Sequence, residues 1–120
     1  MKATGNPIVD LTFQFSLKVL DFTDKLEQMR KYPIAKQLTK SGTSVGANVR
    51  EAQSAESRRD FIHKLKISEK ELEETEYWLD LCKYSDVLPD PGDLATKAAE
   101  IKKVLGKIIS TAVRNEKGRR

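Results

Sequence analysis

The stretch Ser41 to Gln53, SGTSVGANVREAQ, decides how this chain is read. It crowds Ser41, Gly42, Ser44, Gly46 and Ala47 together before turning charged at Arg50 and Glu51. A phosphate-cradling loop needs G-x-x-x-x-G-K-[ST] after a buried strand. Here Gly46 leads into Ala47 and Asn48, and no strand pattern precedes it. Gly42 and Gly46 instead place two absent side chains on one face of a helix. Glycine costs about 1 kcal/mol against alanine inside a helix, so the pair calls for compensation. Close approach of a neighbouring helix supplies it, with Phe15, Phe22 or Phe61 lying across the gap. A kink or early break in the helix is the alternative. Asn48, one turn past Ser44, is expected to bond a facing helix and fix register. Glu51 is placed to pair with Arg58 or Arg59 across the turn AESRRD, a contact worth about 0–1 kcal/mol.

Working outward, apolar spacing yields four helices and no strand, an all-α, up-down-up-down antiparallel four-helix bundle in one domain over residues 1–120. The first helix spans about 7–31, with Asn6 as N-cap, Pro7 at the first position and Tyr32-Pro33 as the break. Its core stripe is Ile8, Leu11, Phe15, Phe22, Leu26 and Met29. The second spans 33–54 with Leu38, Val45, Val49 and Ala52 inward. The third spans 58–86, opened by a capping box of Ser57 and Asp60. Its seam of Phe61, Leu65, Ser68, Leu72, Thr75, Leu79 and Cys82 repeats as 4-3-4-3-4-3. The fourth spans 91–115, with Asp90 as cap, Pro91 first, Asp93 closing the box, and Leu94, Ala98, Ile101, Leu105, Ile108 and Ala112 inward. A basic tail, 116–120, is expected to fray.

Composition narrows the function. Charged residues make up 33% and hydrophobic residues 38% of 120 residues, too apolar and periodic for disorder. A single cysteine rules out an internal disulfide framework and fits a reducing cytoplasm. No apolar run is long enough to span a membrane, and MKATGNPIVD lacks the apolar core of a secretion signal. Catalysis needs converging titratable groups. His63 is the only histidine, one Asp60-x-x-His63 cannot build a di-iron centre, and one Cys with one His cannot build a structural zinc site. The reading is therefore a non-enzyme with no cofactor and no metal.

Charge is unevenly placed. Of the net +4, residues 101–120 carry seven Lys/Arg against one Glu. EKELEETEYWLD (69–80) carries six acids and one Lys. Arg58 and Arg59 sit in the first turn of the third helix, where the helix dipole favours anions. A phosphate there would meet free N–H groups and guanidinium together. Arg59, His63, Lys66 and Lys70 share the outward side. The candidate nucleic-acid surface is thus Arg50, Arg58, Arg59, Lys66, Lys70, Lys102, Lys103, Lys107 and Arg114, reading backbone rather than base sequence; solvated surface charge is the alternative. Phe13, Leu17 and Leu20 lie opposite the first helix's core stripe, and Ile67 and Trp78 fall off the third helix's seam. These five form a candidate homo-oligomer interface, and a closed ring buries one such patch per subunit. Gly42, Gly46, Ala47, Asn48, Glu51, Ser57 and Asp60 are assigned to packing, capping and register.

The segment SGTSVGANVREAQSAESRRDFIHKLKISEKELEETEYWLDL resembles the signature region of four-helix-bundle proteins encoded in 23S ribosomal RNA intervening sequences. It is similar also to the accessory variability determinant of diversity-generating retroelements. The likeness runs over nearly the whole chain, through S-x-x-x-x-G-A-N-x-x-E-A, F-x-x-x-L and E-x-x-x-W-L. It implies a homopentameric ring and, in the retroelement branch, a basic surface that binds RNA or DNA and a reverse transcriptase. At net +4 with an acidic belt, this chain is less basic than that branch. The expectation is an oligomeric bundle that binds nucleic-acid backbone, structured RNA in kind, with a protein-interaction scaffold as the alternative.

Overall fold

Pro7 lacks an N–H at the position where a helix has no use for one, and α1 (Pro7–Gln28) starts there. The computed structural model describes residues 3–118, so positions 119 and 120 of the basic tail lie outside the described residues. Asn6 holds the N-cap position but its side chain does not cap. Its Nδ2 donates to Gln53 Oε1 at 3.1 Å, tying the start of α1 to the end of α2. The break after α1 comes one turn earlier than Tyr32-Pro33 would place it. Arg30 adopts φ 61°, Lys31 N–H donates to Leu26 O and Arg30 N–H to Glu27 O, a Schellman closure built on arginine instead of glycine. Met29 is consequently a C-cap residue, exposed and outside the core.

Helix α2 (Tyr32–Ala52) is unbroken through Gly42 and Gly46, α3 covers Arg58–Tyr84, and α4 covers Leu94–Gly118. The start of α4 differs from expectation. Asp90 Oδ1 accepts from Gly92 N–H at 2.7 Å and Gly92 takes φ 63°, so a turn replaces the first helical residues. Asp93 reaches Lys18 at 3.1 Å; Lys18 holds its carboxyl below the usual range by hydrogen bond and charge. At the other end, α4 continues through Glu116, Lys117 and Gly118, where a frayed tail was expected.

Each helix packs on its two neighbours in chain order, with α4 closing onto α1, while α1 and α3 stand diagonally opposite. This is the expected up-down-up-down bundle. Its core is a heptad-like seam from every helix. In α1 the seam is Ile8, Thr12, Phe15, Val19, Phe22 and Leu26. Thr12 and Val19 were missed by counting large apolar residues, and Leu11 is only half-buried against the core. Thr12 enters because its hydroxyl donates to Ile8 O at 2.8 Å, leaving a methyl for packing. In α3 Leu65, Ser68, Leu72, Thr75, Leu79 and Cys82 are all buried as the spacing requires, and Phe61 is half-buried. In α4 Ile109 takes the core position and Ile108 sits at its edge.

The bare face of α2 is a packing surface for α1. An added Cβ at Gly42 would lie 2.7 Å from Val19 Cγ1, and one at Gly46 would lie 3.2 Å from the Thr12 carbonyl oxygen. Val19 and backbone fill the gap, not phenylalanine. Register against α3 comes from hydroxyls. Ser68 Oγ donates to Val45 O at 2.7 Å. Thr75 Oγ1 lies 2.9 Å from Ser41 Oγ and 2.8 Å from Glu71 O. Because the carbonyl can only accept, Thr75 donates to it and Ser41 donates on to Thr75. Asn48, expected in this role, instead donates within its own helix to Ser44 O at 2.9 Å.

Burial sets the chemistry of Cys82, which is 1% exposed and whose thiol is pushed from 9.0 up to about 11. The folded chain therefore holds this proton to higher pH than the unfolded chain does. Stability is intact below pH 9 and falls through the window up to about pH 11, by about 1.4 kcal/mol per pH unit. Urea unfolding across that window should show a loss, on the order of 2 kcal/mol, that Cys82→Ala lacks. Parallel curves for the two proteins would contradict the burial account.

Candidate interaction surfaces

Helix α3 carries most of the charged surface, and its first turn fixes how. Ser57 Oγ accepts from Asp60 N–H at 3.0 Å, and Asp60 Oδ2 accepts from Glu56 N–H at 3.4 Å. The expected box is present, with its return bond one residue early. Capping at this point turns Arg58 and Arg59 different ways. Arg58 is half-buried and Arg59 is exposed. From Arg59 the outer edge continues through His63, Lys66 and Lys70, all exposed. No ion pair neutralises Arg59, Lys66 or Lys70 among the described residues.

The same edge changes character after Lys70. Tyr77, Leu81 and Tyr84 continue it at 4-3 spacing, 57%, 40% and 78% exposed. Sequence reasoning missed this stripe because acids surround it; its spacing, out of phase with the seam, was the available signal. Trp78 and Ile67, expected at an interface, are half-buried on the flank of α3. Trp78 packs against the core, and its indole N–H is buried without a partner among the described residues.

On α1, Leu17 and Leu20 are exposed as expected, at 42% and 43%. Phe13 is half-buried beneath Arg50, whose guanidinium carbon stands 5.6 Å from the ring centroid. Both residues line a cleft of about 810 Å³ floored by Gly46 and Ala47 and bounded by Glu51, Asp60 and Lys64. Glu51 pairs with Lys64 at 3.4 Å; neither Arg58 nor Arg59 is its partner, because Lys64 lies on the side of α3 that faces α2. On α4, Lys103, Lys107 and Arg114 are exposed, whereas Lys102 is taken up by Glu76 at 3.3 Å. Since α4 runs antiparallel to α3, its basic C-terminal half lies beside the basic N-terminal half of α3.

Among the described residues, no helix is long and apolar enough to cross a membrane. No three His, Cys, Asp or Glu among them are grouped to hold a metal ion.

These features define a small four-helix bundle, basic at one end and with apolar side chains exposed along two outer edges. The chain belongs to the family described as 23S rRNA-intervening sequence protein, whose model matches residues 6–107. Among solved structures it is similar to a protein of unknown function from the S23 ribosomal protein family of Bacteroides thetaiotaomicron VPI-5482. The two share 38% identity over 85% of this chain and 97% of that one, with a TM-score of 0.80. No curated protein matches the chain.

Proposed function

We propose that this protein is a non-catalytic, homo-oligomeric bundle that binds nucleic-acid backbone, structured RNA above all. The observation that carries the reading is the exposed row of Arg59, Lys66 and Lys70, with His63 among them and no ion pair to the three cations among the described residues. It begins in a helical first turn, where cations are electrostatically misplaced unless an anion joins them. Regularly spaced cations without base-reading side chains favour phosphate contact over sequence recognition. Lys103, Lys107 and Arg114 extend the field at the same end, and Arg50 adds to it from α2.

Titration of a labelled RNA hairpin at increasing salt tests this. Three phosphate contacts give a slope of about −2 to −3 in log affinity against log salt. Arg59→Glu with Lys66→Glu should weaken binding by about tenfold or more, as two lost charge-assisted contacts of a kcal/mol or more each require, and leave the melting temperature nearly unchanged. No affinity at low salt, or affinity indifferent to salt, rejects the reading.

Assembly is supported by two unlike apolar edges, Leu17 and Leu20 on α1 and Tyr77, Leu81 and Tyr84 on α3. They stand on diagonally opposite helices, so one copy can offer its α1 edge to the α3 edge of the next. Such a head-to-tail contact closes into a ring when the rotation permits, and the resemblance to ring-forming bundles favours five copies. Sedimentation velocity checks it. Leu17→Asp with Leu20→Asp should convert the assembly to single chains of unchanged helicity, and an unaltered mass would remove α1 from the interface.

A scaffold for a partner protein, a reverse transcriptase being the partner that the retroelement resemblance names, is the second reading. The exposed tyrosines of α3 favour it, since aromatic side chains are enriched at protein interfaces. In that case the RNA titration is flat and the α3 edge alone carries the activity.

A further inference from the structure

Where α3 begins and α4 finishes, a groove of about 450 Å³ lies between Arg58 and Phe61 on one helix and Val104, Lys107, Ile108 and Thr111 on the other. Its floor is apolar, because Phe61, Val104 and Ile108 are only partly covered by the core they pack against. Its rim is cationic. The Nε of Arg58 is shielded from solvent and has no hydrogen-bond partner among the described residues. That N–H is closed to a docked ligand as it is to water, so pairing with an anion falls to the remainder of this half-buried guanidinium side chain and to exposed Lys107 on the opposite rim. The groove thus presents two unmet demands, apolar surface to cover and an anionic acceptor to receive.

We infer that this groove docks an amphipathic helical segment of a partner protein, one that carries carboxylates beside apolar side chains a turn apart. Charge complementarity selects that occupant. Arg58 and Lys107 line the groove and Arg114 stands exposed on the same half of α4, none of them in an ion pair among the described residues, a field that draws an acidic segment in and turns a basic one away. A nucleic-acid backbone would satisfy Arg58 but leave Phe61, Val104 and Ile108 uncovered. An acidic helix meets both demands by the helix-in-groove mode, in which apolar residues four apart fill the floor. The row that carries the proposed RNA reading lies outside it, since Arg59, Lys66 and Lys70 occupy the outer edge of α3 and do not line the groove, while Lys107 is shared by the two.

Fluorescence polarisation on the full chain tests the inference. The probe is a labelled helical peptide of Glu, Ala and Leu with leucines four residues apart. Micromolar binding is expected, weakened by about tenfold or more, the loss of about 1.4 kcal/mol, when the glutamates become lysines. Thr111→Glu should cause a similar loss. Thr111 is exposed and outside the core, so the melting curve by circular dichroism should be retained. Arg59→Glu with Lys66→Glu should leave the peptide affinity within about twofold, which separates failure of this inference from failure of the RNA reading. An unchanged signal up to millimolar protein, equal affinity for the lysine peptide, or indifference to Thr111→Glu overturns it. Loss of RNA affinity on Thr111→Glu would assign the groove to nucleic acid instead. A drop in assembly mass on the same substitution, without peptide, would assign it to a second copy; either result also overturns the inference.

Discussion

Gly42→Leu is expected to cost more than about 3 kcal/mol of stability, and even Gly42→Ala about 1–2 kcal/mol. The reason is contact, not conformation. Gly42 sits in ordinary helical backbone, so alanine there should gain about 1 kcal/mol by propensity alone. Against that stands Val19, whose two methyls would lie 2.7 and 2.9 Å from the new Cβ. Val19 has no exposure and, being β-branched within a helix, has essentially one side-chain rotamer available. It cannot swing aside, so α1 and α2 must separate along their whole contact. Val19→Ala should relieve Gly42→Ala, and the double-mutant cycle should return a coupling of about 1–2 kcal/mol. Additive losses would mean that the two residues do not meet. Gly46 offers a graded comparison, because its added Cβ would press on the Thr12 carbonyl at 3.2 Å, a backbone atom that gives only if the helix moves.

Phe15→Ala should be the costliest single truncation in α1, about 3–5 kcal/mol, lowering the melting temperature by about 10–20 °C for a domain of this size. Phe15 is the largest of the fully buried side chains. Its removal leaves a cavity among seams that hydroxyl bonds hold in register, which limits how far the helices collapse into it. Ser68 to Val45 and Ser41 to Thr75 would both stretch if α3 slid to fill the space. Phe13→Ala, only two residues away but half-buried under Arg50, should cost far less in unfolding experiments and show its effect in assembly mass. Equal melting shifts for the two would mean that the α1 seam is misassigned.

The two substitutions probe what periodicity could and could not convey. Leu65, Ser68, Leu72, Thr75, Leu79 and Cys82 were readable as a seam because their 4-3 spacing is strict, and all are buried. The bare face at Gly42 and Gly46 was readable for a similar reason, since two costly glycines inside a helix need a neighbour. Thr12 and Val19 were passed over because Leu11 and Met29 are larger and nearly in phase. A helix that stops at Gln28 rather than Lys31 then leaves Met29 in solvent. No rule on residue type anticipates an arginine at a positive φ.

The amino-acid order alone determined the four helices, their antiparallel order around one core and the exposed row from Arg59 to Lys70, because helical phase is a local property. Tertiary structure alone decided which partners the polar groups take: Lys64 for Glu51, Glu76 for Lys102, and no acceptor for Arg58 Nε among the described residues. It also decided that Val19 fills the notch beside Gly42, and that a groove opens between Phe61 and Ile108. Those outcomes depend on how far one helix is rotated and shifted against another. That freedom of about one residue is set by the fit of all the seams together, and no single helix encodes it.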